Sequence, residues 1–372
     1  MSNWDVIVIG LGGVGSSAAY HVAKLGQRVL GLEQFTPAHD RGSSHGETRI
    51  IRQAYFEHPS YVPLLKRAYD LWDQLEQETE CDLFERTGLV EMGPATGVVV
   101  PGVLACAAEH QLTVQEWSRA SVREKWPGLE GDPDWKFVVE HNAGFLRVES
   151  CVRAHLAMAM RAGATLRFEQ PVVDWRISGD TVEVITDQGI ERADQLVIAG
   201  GAWSEQLLSD LRIPLQILRK QLYWFEADEG QFGLEAGFPC FFHETPAGYF
   251  YGFPSIHGSG MKIARHSGGI PLERPQHCDQ QDDEDRALCE AYLKKYLPGV
   301  STRLLAQASC FYTSTPDENF IIDRHPKHSN VTLIAGLSGH GFKFSSVLGE
   351  IASQLAVGSI EPELELFQLD RF

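Results

Sequence analysis

The sequence predicts a mixed α/β fold, α+β overall, and three observations support this prediction. Residues 6–9 form a continuous β-branched run that is typical of a buried parallel strand, and a glycine-rich turn and a helix follow it. Similar buried strands recur at residues 195–199 and 330–335. The two long stretches between these regions contain short alternating segments, which predict antiparallel strands.

The order of these regions predicts two interleaved domains, and a chain of 372 residues favours the same division. The strand–helix regions would build one discontinuous Rossmann-like domain from residues 1–81, 145–213 and 321–372. The β-rich regions, residues 82–144 and 214–320, would form an inserted domain that we expect to carry the substrate site.

Individual elements follow from the spacing of apolar side chains. Residues 82–144 show only strand patterns, and the acidic run at residues 282–285 predicts a solvated loop. Further strands are predicted at residues 29–32, 88–93 and 182–185. Helices are predicted at residues 16–25, 59–80, 151–162 and 343–356.

Charge and composition exclude several classes of protein. The net charge of −18 disfavours binding to nucleic acid or to an anionic membrane, although a local basic pocket is compatible with it. The chain runs directly into its first strand, without a basic and then a long apolar segment, so no signal peptide is predicted. No apolar run has the length of a membrane span. We therefore expect a cytoplasmic protein without a nucleic-acid or membrane partner.

The cysteines and histidines give no sign of a metal site. The number of cysteines is odd and no Cys-x-x-Cys pair occurs, so neither a disulfide framework nor a zinc site is predicted. His325 and His328 lie in a polar turn and are predicted to be solvated. We expect small buried hydrophobic side chains at Cys81, Cys106, Cys151, Cys240, Cys278, Cys289 and Cys310.

A glycine motif stands between the first strand and the first helix, where residues 10–15 match G-x-G-x-x-G. Such glycines permit a tight turn and the close approach of a pyrophosphate to the positive helix N-terminus. Glu33 ends the second strand, where its carboxylate can accept the ribose hydroxyls and repel the extra phosphate of NADP. The alternative is a purely structural glycine turn, and the motif does not separate FAD from NAD. The predicted dinucleotide contacts are Gly10, Gly12, Gly13, Val14, Gly15 and Glu33.

Two further segments favour FAD. Residues 41–49 form a polar, glycine-containing loop whose amides and hydroxyls could line a long, buried flavin. Residues 336–341 repeat the strand–glycine–helix arrangement near the end of the chain. A helix N-terminus there could stabilise negative charge on the N1–C2=O edge of a reduced flavin, unless the glycines only cap a second helix.

Four separated segments carry a resemblance to a known family. They are residues 42–52 (GSSHGETRIIR), 251–254 (YGFP), 310–323 (CFYT, then DE and FIID) and 339–344 (GHGFKF). With these segments, the whole chain resembles the monomeric sarcosine oxidase and N-methyltryptophan oxidase family of amine-oxidising flavoenzymes. The resemblance implies an FAD-dependent oxidase.

The resemblance also implies chemical roles for residues of this chain. Cys310 would form a thioether with the flavin 8α-methyl carbon rather than remain a buried thiol. Arg52 and Lys343 would hold the substrate carboxylate rather than form an ordinary ion pair. Two charge-assisted hydrogen bonds contribute roughly 3–6 kcal/mol, and a millimolar Kd needs about 4 kcal/mol. Lys262 would stand beside the flavin ring and stabilise nascent superoxide.

The family match implies further contacts around the amine and the flavin. Tyr251 and His266 would orient the amine and adjust its protonation. Arg49 would help to hold negative charge at the ring, and Thr48 would hydrogen-bond locally. Substrate contacts are also expected from Phe242 and Gly339. Further cofactor contacts are expected from Gln34, Arg41, Ser44, His45, Thr48, Arg49, Val172, Gly200, Trp203, Cys310, Gly339, Gly341, Phe342 and Lys343.

The sequence departs from the family pattern around the expected pocket. Phe242 stands where sarcosine-specific members have a methionine, and Arg265 stands where they have a tyrosine. Gln53 replaces a histidine, and Pro316 is closer to the N-methyltryptophan oxidase pattern. These departures leave the size of the substrate open.

We therefore expect a monomeric oxidase that takes a hydride equivalent from a small N-methyl amino acid. The products would be an imine, then an amine plus an aldehyde, and hydrogen peroxide from O2. Four alternatives remain open: an N-methyl-L-tryptophan oxidase with a larger pocket, a flavin dehydrogenase that uses a quinone or protein acceptor, an NAD-dependent enzyme, and a non-catalytic dinucleotide-binding protein.

Overall fold

The computed structural model describes residues 3–276, 281–358 and 364–372, so Cys278 lies outside the described residues. In chain order, the helices are α1 Gly13–Lys24, α2 Val62–Thr79, α3 Val99–His110, α4 Arg119–Lys125, α5 Val148–Arg161, α6 Ser204–Leu207, α7 Glu229–Phe232, α8 Asp283–Tyr296 and α9 Ser345–Val357. The strands are β1 Trp4–Ile9, β2 Val29–Leu32, β3 Thr48–Ile51, β4 Phe84–Glu85, β5 Leu89–Pro94, β6 Gln115–Trp117, β7 Trp135–Glu140, β8 Gly144–Arg147, β9 Thr165–Arg167, β10 Val172–Ser178, β11 Thr181–Thr186, β12 Gly189–Ile198, β13 Gln216–Phe225, β14 Cys240–Thr245, β15 Gly248–Gly252, β16 Met261–Arg265, β17 Ile270–Leu272, β18 Leu304–Ser314, β19 Ile321–His325 and β20 His328–Ala335.

The first large sheet has eight strands among the described residues. Their order is β10-β11-β12-β1-β2-β9, with β20 beside β12 and β19 beside β20. Strand β1 pairs in parallel with β2 and β12, and β12 also pairs in parallel with β20. The β-branched run at residues 6–9 is buried in the middle of this sheet, as a central parallel strand requires.

Helices α1, α5 and α9 pack over this sheet, and α1 contacts both of the others. Small side chains let α1 and α9 approach closely. Ser17 Oγ donates a hydrogen bond to the Ser346 carbonyl oxygen at 3.0 Å, and a Cβ atom on Gly349 would collide with Ser17. The glycine loop before α1 and the C-terminal helix therefore belong to one tightly packed layer.

The second large sheet has nine strands among the described residues, in the order β17-β13-β16-β15-β14-β5-β7-β6, with β18 beside β13. Successive side chains of a strand point to opposite faces. On one face, Phe241 and Phe250 pack with Tyr292 of α8 in an aromatic core. Phe242 and Tyr251 belong to the other face, which borders the cavity described below.

Among the described residues, a third sheet contains β3, β8 and β4. Strand β3 follows the polar loop at residues 41–47 and pairs with β8 in an antiparallel arrangement. This sheet joins strands from both of the domains that the sequence predicts, whereas the two large sheets each draw on one of them. We keep the division at residues 81, 144, 213 and 320 as a proposal.

One prediction of local structure is wrong for residues 82–144, which contain helices α3 and α4 where only strands were expected. The start of α3 is held by a distant carboxylate, because Glu244 Oε2 accepts hydrogen bonds from the Val98 and Val99 amides, both at 2.8 Å. Glu244 lies on β14, so the sequence around α3 carries no local signal for this cap.

Two polar segments were also predicted wrongly. The acidic run at residues 282–285 begins α8, where Asp282 Oδ1 accepts the Asp285 amide at 3.0 Å and the carboxylates favour the helix dipole. His325 is buried, with Nε2 3.1 Å from Asp210 Oδ2, and its ring stacks on the half-buried ring of His328. Among the described residues, no helix is both long enough and apolar enough to cross a membrane.

Candidate active site

A cavity of about 480 Å³ extends from the glycine loop to the inner face of the nine-stranded sheet. It brings together most of the residues that the sequence assigns to the cofactor and the substrate. The predicted residues that line it are Gly10, Gly12, Gly13, Val14, Glu33, Gln34, Ser44, Arg49, Arg52, Val172, Gly200, Trp203, Phe242, Tyr251, His266, Gly339, Gly341, Phe342 and Lys343.

Some predicted residues do not form the cavity wall. Gly15 lies beneath the loop, where a Cβ atom would collide with the Gly10 carbonyl oxygen. Arg41 is exposed, with its guanidinium 5.4 Å from the centre of the Phe35 ring. The other predicted residues outside the wall are His45, Thr48, Lys262 and Cys310.

The glycine loop presents its backbone to one end of the cavity. Gly10 follows β1 and has a φ of +84°, a conformation that glycine adopts without strain. Gly12 caps α1 without a side chain, and the Gly13 amide donates to Ser44 Oγ at 3.0 Å. The first turn of α1 thus borders the cavity, where a helix N-terminus favours a phosphate.

Glu33 fixes the loop from the end of the second strand. Its Oε2 accepts the Leu11 amide at 2.8 Å and its Oε1 accepts the Phe35 amide at 3.1 Å. The carboxylate is buried and lines the cavity, so its remaining lone pairs can accept ribose hydroxyls. The predicted ribose contact of Glu33 stays a prediction.

Two buried hydroxyl groups farther along the cavity indicate that a polar ligand binds there. Thr313 Oγ1 and Ser345 Oγ belong to lining residues, and neither has a hydrogen-bond partner among the described residues. Buried polar atoms are normally satisfied, so these hydroxyls are available to a bound molecule. Together with the glycine loop and Glu33, they fit a dinucleotide that extends through the cavity.

Arg52 lies at the other end of the cavity and is buried. Its Nη2 donates to both carboxylate oxygens of Glu57 at 2.8 Å, and its Nη1 donates to the Ala54 carbonyl at 2.9 Å. Its Nε lies 3.4 Å from Glu91 Oε1. Burial alone would lower the pKa of Arg52, but Glu57 and Glu91 raise it above its usual value. Arg52 is therefore a permanent cation held between two carboxyl groups.

Lys343 provides a second cation close to the first. The centre of the Tyr55 ring lies 4.4 Å from Arg52 Cζ and 5.2 Å from Lys343 Nζ, so both groups flank one ring. Lys343 Nζ donates to the His340 carbonyl at 2.8 Å. Burial and the charge of Arg52 lower the pKa of Lys343 to about 7. A bound carboxylate would stabilise its protonated form.

Two buried glutamates accompany these cations. Glu140 accepts the Gln53 amide at 2.8 Å and the Ala54 amide at 3.0 Å. Glu91, in contrast, has no hydrogen bond to either carboxyl oxygen among the described residues. Burial raises the pKa of Glu91 to about 8; Arg52 opposes this rise and Glu140 reinforces it.

An aromatic and imidazole wall faces the same end of the cavity. The His266 ring lies 5.8 Å from the Phe242 ring and 6.3 Å from the Tyr251 ring, centre to centre. His266 Nδ1 lies 3.2 Å from Tyr312 Oη. Burial chiefly, together with Lys220, lowers the pKa of His266 to about 3. The imidazole is therefore neutral near pH 7 and can contact an amine without adding charge.

Lys262 lies behind the cavity wall. Its Nζ donates to the Gly46 carbonyl at 2.6 Å, the Thr48 carbonyl at 2.8 Å and Thr48 Oγ1 at 3.1 Å. Burial and Arg49 lower the pKa of Lys262 well below its usual value. The three acceptors match the three N–H donors of an ammonium, whereas a neutral amine has two, so the geometry supports the charged form.

His45 and Cys310 also lie just outside the wall. Burial and Arg49 lower the pKa of His45 to about 4, and His45 Nε2 has no partner among the described residues. Cys310 is buried on β18, immediately before the lining residues Phe311 and Tyr312. The predicted thioether of Cys310 stays a prediction.

Sequence reasoning gave no role to several residues of this site, among them Tyr312, Glu91 and Glu57. Tyr312 belongs to one of the four family segments but received no role. Glu91 interrupts an otherwise apolar strand, and this break is a signal that the sequence offers. Glu57 has no comparable signal, since only the folded loop brings its carboxylate to Arg52.

The glycine loop, the terminal carboxylate of Glu33 and the long cavity define a dinucleotide-binding protein. The chain belongs to the family of FAD-dependent oxidoreductases, because the family model with the description "FAD dependent oxidoreductase" matches residues 5–355. FAD is therefore the dinucleotide, and the NAD alternative is excluded.

Curated relatives are similar over the full length of the chain. Monomeric sarcosine oxidase from Bacillus sp. (strain B-0618) is 41% identical, over 100% of this chain and 96% of that protein. N-methyl-L-tryptophan oxidase from Citrobacter koseri is 38% identical, over 99% of both proteins. The resemblance that four sequence segments carried is therefore confirmed.

Solved structures show the same fold at low sequence identity. NikD, described as an unusual amino acid oxidase essential for nikkomycin biosynthesis, superposes with a TM-score of 0.87 at 24% identity, covering 99% of this chain and 98% of that one. Glycine oxidase from Geobacillus kaustophilus has a TM-score of 0.83 at 19% identity, covering 99% of both chains. The predicted fold class is confirmed.

Proposed function

We propose that this protein is an FAD-dependent oxidase of N-methyl amino acids that passes electrons to O2. Bound FAD supplies the acceptor for a hydride equivalent from the substrate. The released imine hydrolyses to an amine and an aldehyde, and O2 becomes hydrogen peroxide. The relatives named for the oxidation of sarcosine and of N-methyl-L-tryptophan support this activity.

The pair of buried cations, Arg52 and Lys343, carries the proposal. Both flank the Tyr55 ring at one end of a cavity whose other end suits a dinucleotide. A carboxylate between them would make two charge-assisted hydrogen bonds, which contribute roughly 3–6 kcal/mol. This energy is enough to hold a very small amino acid at millimolar concentration.

The neutral imidazole of His266 suits the amine half of the substrate. Oxidation of a C–N bond needs the unprotonated amine, whose lone pair is free. Neutral His266 and Tyr251 line the cavity near the cations and add no charge that would hold an ammonium. These two residues would therefore orient the amine in its reactive form.

Lys262 supports O2 as the electron acceptor, in preference to a quinone or a protein. Its ammonium is fixed by three oxygen atoms, and a fixed cation costs no reorganisation when negative charge forms on oxygen. The Lys262→Met variant should keep substrate-dependent flavin reduction and lose roughly 10²–10³-fold in reoxidation by O2. A variant that reoxidises at the normal rate would remove Lys262 from this role.

Anaerobic flavin reduction tests the proposed substrate class. Sarcosine, N-methylalanine, L-proline, pipecolate and N-methyltryptophan should be compared with dimethylamine, which resembles sarcosine but lacks the carboxylate. At least one amino acid should bleach the flavin and dimethylamine should not. Equal bleaching by dimethylamine and sarcosine would disprove carboxylate capture, and no bleaching by any amino acid would disprove the oxidase.

The aromatic wall bears on the size of the substrate. The Phe242 ring lies 5.3 Å from the Phe56 ring and 5.9 Å from the Tyr249 ring, centre to centre. These rings limit the space beside Arg52, which favours a small substrate. They could also stack on an indole, so N-methyl-L-tryptophan is the second candidate. Phe242→Ala should raise activity toward N-methyl-L-tryptophan relative to sarcosine, measured as the ratio of kcat/KM.

We further propose that Cys310 binds the flavin covalently. Its position next to the cavity wall and the family resemblance support this link. After acid precipitation of the wild type, the yellow colour should stay with the protein. It should pass to the supernatant in Cys310→Ala but not in Cys240→Ala, which removes another buried thiol. Colour that remains with the Cys310→Ala precipitate would exclude Cys310.

A monomeric state and a cytoplasmic location complete the proposal. The printed name of one relative includes the word monomeric. None of the six described cysteines forms a disulfide, which suits a reducing compartment. Five of them are buried as expected, but Cys81 is exposed, so the expectation of a buried side chain is wrong there. Light scattering should give a mass near 41.4 kDa, and a mass twice as large would contradict the monomer.

A further inference from the structure

Glu91 is a buried carboxylic acid for which the proposed reaction has no direct use. It is 0% exposed, and neither carboxyl oxygen has a hydrogen-bond partner among the described residues. It lies on β5 opposite Phe242 of β14 and opposite Val138 of β7. Residues in register share a face of a sheet, so Glu91 stands on the same face as Phe242 and Tyr251.

The charged groups around Glu91 belong to the carboxylate site. Arg52 Nε is 3.4 Å from Glu91 Oε1, and Lys343 supplies the other nearby positive charge. Glu140 on β7 and Glu57 on the loop after Arg52 supply negative charge. Arg52 therefore has one carboxyl group on its cavity side, from Glu57, and a second behind it, from Glu91.

A comparison with Glu140 argues against a purely structural role. Glu140 is also buried, but two backbone amides donate hydrogen bonds to its carboxyl oxygens and oppose the rise in its pKa that burial causes. Among the described residues, Glu91 has no such donors, and its carboxyl group forms an ion pair with the guanidinium of Arg52. An apolar residue among Leu89, Val138 and Phe242 would pack there without a desolvation cost.

We propose that Glu91 is a positioning residue that sets the affinity of Arg52 for the substrate carboxylate through its own protonation. The proposal rests on the proposed function, in which Arg52 anchors that carboxylate. When Glu91 is neutral, the charge of Arg52 is available to the substrate. When Glu91 is ionised, it neutralises Arg52 from behind and repels the incoming carboxylate.

The sign of the pH dependence follows from linkage. Burial raises the pKa of Glu91 to about 8, so the neutral form predominates below that value. Above it, binding of an anion requires one proton from solvent to enter the Glu91 carboxyl group, and the apparent affinity falls. Lys343 contributes a separate loss of the same sign, because its pKa is lowered to about 7.

The test uses methoxyacetate, which keeps the carboxylate and carries an ether oxygen where sarcosine has its amine. Its Kd for the FAD holoenzyme should be followed by flavin absorbance between pH 6 and pH 9.5. For the wild type, Glu91 alone should weaken binding roughly tenfold between pH 7 and pH 9. In Glu91→Gln and Glu91→Leu, this tenfold increase in Kd should be absent, and at pH 6 both variants should bind methoxyacetate as tightly as the wild type does. In Glu91→Asp, the Kd should still increase with pH.

Several outcomes would overturn the proposal. They are a wild-type Kd that does not change with pH, no proton uptake on binding in calorimetry with two buffers, or a rise in Kd between pH 7 and pH 9 that is as steep in both neutral variants as in the wild type. The smaller rise that Lys343 causes should remain in the neutral variants. If Glu91→Gln fails to fold, Glu91→Leu replaces it, because leucine suits the apolar surroundings. The measurement of proton uptake uses the wild type and does not depend on either variant. Failure of the proposed function gives a different result from failure of the Glu91 proposal. If Arg52 does not hold the substrate carboxylate, Arg52→Gln will bind methoxyacetate at pH 6 with the Kd of the wild type.

Discussion

The two ends of the cavity are built in different ways. At the dinucleotide end, residues 10–15 and Glu33 present backbone amides and one carboxylate from neighbouring elements of a single sheet. At the carboxylate end, Arg52, Lys343 and Glu91 come from separate parts of the chain and meet as buried ionisable groups. Binding at the dinucleotide end depends on the space around the backbone, whereas binding at the carboxylate end depends on the protonation of side chains.

This difference decides which kind of change each end tolerates. At Gly10 and Gly15 of the glycine loop, an added methyl group would meet backbone atoms that cannot move aside. At the carboxylate end, side chains can change shape, but a gained or lost proton alters the charge balance among Arg52, Glu57, Glu91 and Lys343. Variants at the two ends should therefore fail in distinguishable ways.

The largest effect is expected in the glycine loop. In Gly15→Ala, the new Cβ would collide with the Gly10 carbonyl oxygen, so the turn between β1 and α1 must distort. We expect loss of bound FAD, measured as the ratio of flavin to protein absorbance. The matched Gly12→Ala has Ser44 Oγ as the nearest protein atom, at 3.5 Å. Gly12→Ala should keep the thermal stability of the protein and lose only affinity for flavin. If Gly15→Ala kept its full flavin content, the collision with the Gly10 carbonyl oxygen would not control FAD binding.

The dinucleotide end could be predicted from sequence because its signals are local. The strand at residues 6–9, the glycine loop and Glu33 follow one another within one supersecondary unit, and hydrophobic period and glycine spacing suffice to place them. The fold class could be predicted because a buried apolar strand followed by glycines recurs at residues 195–199 and 330–335. The start of α3 could not be foreseen in this way, because Glu244 caps it from β14.

The carboxylate end could be predicted only in part. Family segments assigned Arg52 and Lys343, and the structure brings both to the Tyr55 ring. Glu57 and Glu91, the two carboxyl groups beside Arg52, could not be predicted. Ion pairing depends on distances in the folded molecule that spacing along the chain does not encode. Their protonation depends on burial, which is a property of the folded molecule.

The next largest effect is expected for Arg52→Gln. The variant loses the charge-assisted hydrogen bond to the substrate carboxylate, which contributes roughly 1.5–3 kcal/mol, or about 10–150-fold in affinity. KM for the best amino acid should rise by this factor, with a smaller change in kcat, in steady-state peroxide assays. Flavin content should stay normal, which separates this failure from that of Gly15→Ala. A variant with an unchanged KM would show that the carboxylate binds elsewhere.

A smaller, pH-dependent effect is expected for Lys343. Only its protonated form attracts a carboxylate, and its pKa is lowered to about 7, so this attraction is present below pH 7 and is lost above it. At pH 6, Lys343→Met should weaken methoxyacetate binding by roughly tenfold, and near pH 9 the variant and the wild type should converge. Lys343→Arg keeps its charge and should bind with no step near pH 7. A constant ratio between Lys343→Met and wild type at all pH values would contradict the lowered pKa.

The smallest effect, a gain in affinity, is expected for Glu57→Gln. Glu57 accepts two hydrogen bonds from Arg52 at 2.8 Å and must yield at least part of them to an incoming carboxylate. Removing its charge should favour methoxyacetate by about 1 kcal/mol, or roughly fivefold, at pH 6, where Glu91 and Lys343 are both protonated. The matched Glu226→Gln breaks the exposed ion pair with Arg303 and should change nothing. Weaker binding by Glu57→Gln would show that Glu57 holds Arg52 in place for the substrate, and the carboxylate end would then depend on fixed geometry as the glycine loop does.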